Sequence, residues 1–102
     1  MKYNDQHIIN EHTKDAFIRY WQLGLPPGSF CTAVLANDLL SAAHKADHWN
    51  KNMLADTVKW VNANAPRGSW GSYDAVQGWL EKNEHFQAYQ QALTFDILKE
   101  TA

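Results

Sequence analysis

The chain has 102 residues, 9 Lys+Arg against 11 Asp+Glu for a formal charge of −2, and five Trp within a hydrophobic fraction of 45%. That length supports one domain with a single core; the apolar fraction excludes a disordered tail, and no stretch approaches the ~18 apolar residues that span a bilayer. Near-neutral charge excludes a dedicated binder of duplex nucleic acid, because phosphate recognition needs clustered Lys and Arg.

No repeat or low-complexity tract interrupts the chain, so residues 1–102 read as one domain. The first ten residues hold no apolar run of leader length, and the lone Cys31 cannot close an internal disulfide. A reducing cytoplasm is the expected setting. Two Pro/Gly-rich points, Gly24-Leu25-Pro26-Pro27-Gly28 and Pro66-Arg67-Gly68-Ser69-Trp70-Gly71-Ser72, separate stretches of helical period, and strand-type alternation is absent. A first helix is expected over about residues 5–23, with Ile9, Ala16, Tyr20 and Leu23 on one side and Gly24 as its stop. A second, over about 29–46, takes Ser29 as its N-cap and turns Cys31, Val34, Leu35, Leu39 and Ala42 inward. A third over about 50–64 buries Leu54, Val58 and Val61. A fourth begins at Ser72, with Asp74 in its first turn and Val76, Trp79 and Leu80 along its length. A fifth is expected over about 84–101, apolar on two sides through Phe86, Leu93, Ile97 and Phe95, which predicts a contact with a second copy of the chain. The fold class is therefore all-α, a single domain of four or five short helices.

Within the second predicted helix, Asp38 falls inside the inward arc rather than on the polar side. An isolated carboxylate there costs several kcal/mol unless paired, so it either caps a helix, accepts from an indole N–H, or faces a ligand. The two Gly-Ser helix starts place a hydroxyl and an aromatic ring, Ser29 with Phe30 and Ser72 with Tyr73, beside free backbone N–H groups suited to an anion. Simple capping is the competing account, and neither start has the spacing of a phosphate-binding P-loop. Arg67, Ser69 and Trp70 precede the second start; a guanidinium, an indole face and a helix terminus together suit a phosphorylated or base-containing ligand. Trp49 and Trp70 fall at helix junctions where an indole can line a cleft, while the remaining Trp residues belong to packing.

His44 and His48 stand four residues apart, but no further Cys/His pair or HExxH glutamate completes a ligand set, so no metal or cofactor is expected. Cys31, with His12 as a conceivable neighbour, lies on the inward stripe where a thiol is inert. No triad order, carboxylate pair or nucleotide-cofactor fingerprint stands out, and no catalytic residue is assigned.

The run Gly24-Leu25-Pro26-Pro27-Gly28-Ser29-Phe30, followed by Ala33-Val34-Leu35, Asn37-Asp38-Leu39, Ala46-Asp47, Trp70-Gly71-Ser72 and Trp79-Leu80, resembles a family of small tailed-phage and prophage proteins. That family's pattern is G-[IL]-P-P-G-x-F, A-V-L-x-N-[DN]-L, A-D, W-G-S and W-L. Cys31 replaces a larger aliphatic residue, and the segment after Asn83 extends beyond the pattern. The resemblance implies a phage-encoded accessory protein acting in the infected bacterium's cytoplasm.

Two functions follow as expectations. The first is a non-enzymatic module that sequesters a small anionic, nucleotide-like molecule, with Arg67 on phosphate, Ser29, Ser69 and Ser72 as donors, Phe30 or Trp70 stacked on a base, and Asp38 accepting from ribose or base. The alternative is an inhibitor or adaptor that binds a host defence protein through the last helix.

Overall fold

The computed structural model describes residues 3–82. Six helices follow in chain order: α1 (Glu11–Leu23), α2 (Ser29–Leu35), α3 (Leu39–Lys45), α4 (His48–Lys51), α5 (Leu54–Asn64) and α6 (Tyr73–Lys82). The domain is all-α, and no strand occurs among the described residues. The helix expected over 84–101, and with it the predicted two-sided contact, lies outside them.

Helix α2 is the centre of the packing. Phe30, Cys31, Ala33, Val34 and Leu35 are buried, and the helix packs against α1, α3, α5 and α6. A short helix that is apolar nearly all round must be enclosed, and the two Pro/Gly-rich loops let its neighbours fold back over it. From α1 come Phe17, Tyr20 and Trp21; from α5, Trp60 and Val61; from α6, Val76 and Leu80. The rings of Trp21 and Trp60 stack at 5.5 Å, with Phe17 at 5.9 and 6.0 Å from them. Tyr3 lies over the same pair, so the chain entering α1 closes this aromatic cluster. Asp5 holds that segment down by accepting from the Trp60 indole N–H at 3.0 Å and from Lys14 at 2.8 Å.

Several predicted boundaries move for local reasons. Helix α1 begins at Glu11 rather than near Asp5, because the Asn10 side chain accepts from the His12 and Thr13 N–H groups. Gly24 ends it in the left-handed region as expected. The cap of α2 is Gly28, not Ser29, which is already helical and makes no capping bond. The helix expected over 29–46 is broken at Asn37, whose φ is +61°. There the Asn37 N–H bonds the Val34 carbonyl and the Asp38 N–H bonds the Ala33 carbonyl, the Schellman closure of a helix end. Asp38 then starts α3 by accepting from the Ser41 N–H at 3.1 Å. The break turns Leu39 outward, against the expectation that it is core: it is 63% exposed. Likewise the helix expected over 50–64 divides into α4 and α5, because Asp47 caps a separate turn through the Trp49 and Asn50 N–H groups. His44 and His48 therefore belong to different helices rather than to one face.

Candidate functional site

The two Gly-Ser starts lie at opposite ends of α2. Gly28 and Ser29 open that helix, whereas the Gly71 N–H is bonded to the carbonyl of Leu35 at its last residue, 2.6 Å away. Seven residues of helix separate them by about 10 Å. The seven predicted ligand residues accordingly do not form one site.

At the C-terminal end of α2, Asp38 and Trp70 do come together. They line a cavity of about 130 Å³ with Ala33, Val34, Val58 and Val61. Asp38 is half-buried and serves as a cap instead of facing the core unpaired. Its second oxygen accepts from the Tyr73 hydroxyl at 2.6 Å. That bond, with the Ser41 N–H, holds the carboxyl below the usual range. The apolar lining and small volume leave no room for a nucleotide, for which sites of roughly 300–1,000 Å³ are usual.

The loop residues part company. Ser69 is wholly buried; its hydroxyl donates its one proton to the Pro66 carbonyl and its own carbonyl accepts from the Tyr20 hydroxyl, so it offers no donor to a ligand. Its proposed donor role is replaced by a structural one, tying the loop to α1. Ser72 accepts from the Ala75 N–H and caps α6, as its Gly-Ser context suggested. Arg67 is exposed and makes no ion pair or stacking contact with Trp70 among the described residues.

The opposite end of α2 is more open. Ser29, Phe30 and Cys31 line a depression of about 420 Å³ together with Asn10, His12, Thr13, Asp47, Trp49 and Asn50. Phe30 is buried to 9% exposure, which leaves little of its ring for the stacking expected of it. A second depression of about 400 Å³ adjoins the first, shares Ala16, Pro27 and Gly28 with it, and has Arg19 on its wall. His12, Ala16 and Arg19 follow at helical spacing, so one face of α1 forms the long side of both. The start of α2, with no side-chain cap, forms the other side, and α4 closes the end.

Trp49 stands at that closed end, 65% exposed, its ring meeting His48 edge-on at 5.5 Å. A buried bond from the Thr13 hydroxyl to the Asn50 side-chain oxygen Oδ1, at 2.8 Å, anchors the turn that carries it. The Asp47 carboxylate already accepts two backbone N–H groups. Burial pushes the Cys31 thiol up to about 12, so it stays protonated and unreactive where it borders the depression. No group of three or more His, Cys, Asp or Glu is arranged for a metal ion among the described residues.

The two adjoining depressions thus carry between them a guanidinium, an imidazole, the uncapped start of α2 and an open indole face. Sequence reasoning named His12 and Trp49 but gave neither a place in the site, and passed over Arg19. The signal for Trp49 was Asp47: a capping residue just before it starts a new short turn, and a turn that short cannot bury an indole on its outer side. Comparison with protein-family models, curated proteins and solved structures finds no match to the chain. Nor is any helix of the described residues long and apolar enough to cross a membrane.

Proposed function

We propose that the domain is a non-enzymatic module that binds and sequesters a small anionic, nucleotide-like molecule in the groove between α1 and the start of α2. The observation that carries this reading is the pairing of Arg19 and the strongly exposed Trp49 on the walls of two adjoining depressions of about 400 and 420 Å³. A phosphate suits the Arg19 end, where a guanidinium gives directed, charge-assisted bonds. A base suits Trp49, since stacking on an aromatic ring contributes about 1–3 kcal/mol per base without needing net positive charge. His12 and the Ser29 hydroxyl line the same depression as Trp49 and supply donors. The same reading covers a phage accessory protein that withdraws a nucleotide signal from a bacterial defence, the setting suggested by the motif resemblance.

Isothermal titration of the folded protein with ADP-ribose and a set of cyclic dinucleotides tests it. At least one member is expected to bind, and Arg19→Ala and Trp49→Ala each weaken it about tenfold or more, a change of about 1.4 kcal/mol. Arg67→Ala leaves binding unchanged, because Arg67 lines neither depression. Absence of heat with every member overturns the proposal.

A further inference from the structure

The segment that leads into α1 is held by its own domain as a ligand peptide would be. Tyr3, Asn4 and Asp5 run across α1 and α5 outside any helix, with Asn4 and Asp5 exposed. Each of the three is met by a different kind of group. The Tyr3 ring lies against the stacked Trp21–Trp60 pair, 6.0 and 5.9 Å from the two rings, and its hydroxyl accepts from the Gln22 amide at 3.2 Å. The Asn64 side chain takes both backbone groups of Asn4: its Oδ1 accepts from the Asn4 N–H, and its Nδ2 donates to the Asn4 carbonyl at 2.8 Å. Nδ2 also donates to the Trp60 carbonyl at 2.9 Å, which fixes the amide in that orientation. The Asp5 carboxylate receives the Lys14 ammonium and the Trp60 indole N–H.

Short extended peptides are read by this chemistry. Main-chain hydrogen bonds hold the backbone whatever its side chain, and the groups on either side select the neighbouring residues. Here an aromatic platform selects a ring before the clamped residue, and a cation with an indole donor selects a carboxylate after it. Ile9 is buried and already anchors the entry to α1, so these contacts are additional to what the helix start needs. The Trp21 indole N–H, buried in the cluster that Tyr3 covers, has no hydrogen-bond partner among the described residues, so the segment does not use every donor there. Lys14, Phe17 and Trp21 follow at helical spacing on the side of α1 opposite His12, Ala16 and Arg19, which separates this face from the groove.

We propose that this face of α1 and α5 is a peptide-binding site for an extended segment of the pattern aromatic–any residue–Asp, and that residues 3–5 are its displaceable resident. The partner is a protein that carries the pattern in an exposed, extended stretch. This does not rest on the nucleotide-binding reading, which uses the other side of α1. Residues 6–10 tether the resident to α1 and hold it at an effective concentration of about millimolar. A partner segment displaces it where it binds more tightly or is kept close by further contacts.

Isothermal titration of the full chain with a synthetic peptide of residues 2–7, capped at both ends, tests this. The Tyr3→Ala/Asp5→Ala variant, whose site is vacated, is expected to bind the peptide with a dissociation constant of about 0.1–1 mM. The parent binds it about tenfold more weakly or less, because its own segment competes. Ala in place of Tyr3 or Asp5 in the peptide weakens binding about tenfold or more, whereas Ala in place of Asn4 changes it by less than about threefold. Asn64→Ala added to the vacated variant removes binding while helical circular dichroism persists. Asp5→Asn, the milder change, binds the peptide between parent and double variant, and the same comparisons are read on it if the double variant loses its helical signal. A folded vacated variant that takes up no peptide at about 5 mM overturns the proposal. So does uptake to which Tyr3 and Asp5 of the peptide make no difference, which marks the segment as packing alone.

Discussion

Individual polar residues in this domain act mainly as fasteners. Asp5 is the clearest: the Lys14 ammonium, and after it the Trp60 indole N–H, bond its carboxylate and hold its pKa below the ordinary value of 3.8. A depressed carboxylate contributes stability that is fully present above its unfolded pKa and is lost as pH falls through the lower folded value. Asp5→Asn should therefore lower the thermal midpoint near neutral pH, while the two proteins converge between about pH 4 and 2; midpoints followed by circular dichroism across that range check this. Of the three roles its inward position allowed, helix cap, indole acceptor or ligand contact, Asp38 takes the first: it follows a break in the expected helix, caps α3 through the Ser41 N–H and accepts from the Tyr73 hydroxyl. Ser69 is the converse, a hydroxyl expected in the site and consumed by its own loop.

At the scale of the helices, the junctions carry the information. The α2–α3 corner depends on Asn37 holding φ at +61°, which an unbranched amide tolerates and a β-branched side chain resists. Asn37→Val is expected to destabilise the domain by about 1–2 kcal/mol, and Asn37→Gly to be neutral or slightly stabilising. Urea unfolding should show the midpoint shifting at constant slope. The signal for this corner was present as Asn-Asp, a left-handed closer followed by an N-cap, but hydrophobic spacing ran smoothly across it and masked the break. By contrast Gly24, which cannot be mistaken for a core position, marked the end of α1 where it was expected. Pattern reading succeeds where punctuation interrupts the apolar period and fails where both are compatible.

Across the whole molecule, α2 acts as a strut with a different surface at each end: the groove of Arg19 and Trp49 at its start, the cavity and exposed leucines at its finish. The groove's closed end depends on a bond between parts of the chain 37 residues apart, Thr13 to Asn50. Thr13→Val keeps the shape but leaves the buried Asn50 side-chain oxygen without its donor, at a cost of about 1–3 kcal/mol. Thr13→Ser should retain most of the stability, and denaturant midpoints for the two variants separate the lost bond from the lost methyl. Since domains of this size are stable by only about 5–15 kcal/mol, that one bond is a large share of what holds Trp49 in place.

The sequence by itself determined the helical class, the Pro/Gly joints, the burial of Cys31 and the assignment of most of the Trp residues to packing, because each follows from local conformational preference or from the area an apolar side chain removes from water. Only the tertiary structure decided which polar and aromatic residues face the same space. It put the two Gly-Ser starts about 10 Å apart on one strut, withdrew Ser69, set Arg67 aside, and brought Arg19 and Trp49 onto one groove. The near-neutral charge fits that arrangement, since a single guanidinium and an exposed indole need no basic surface. Periodicity records which side of a helix is apolar, but contacts across 30 residues depend on how the helices turn at their joints, and a single left-handed residue changes that direction entirely.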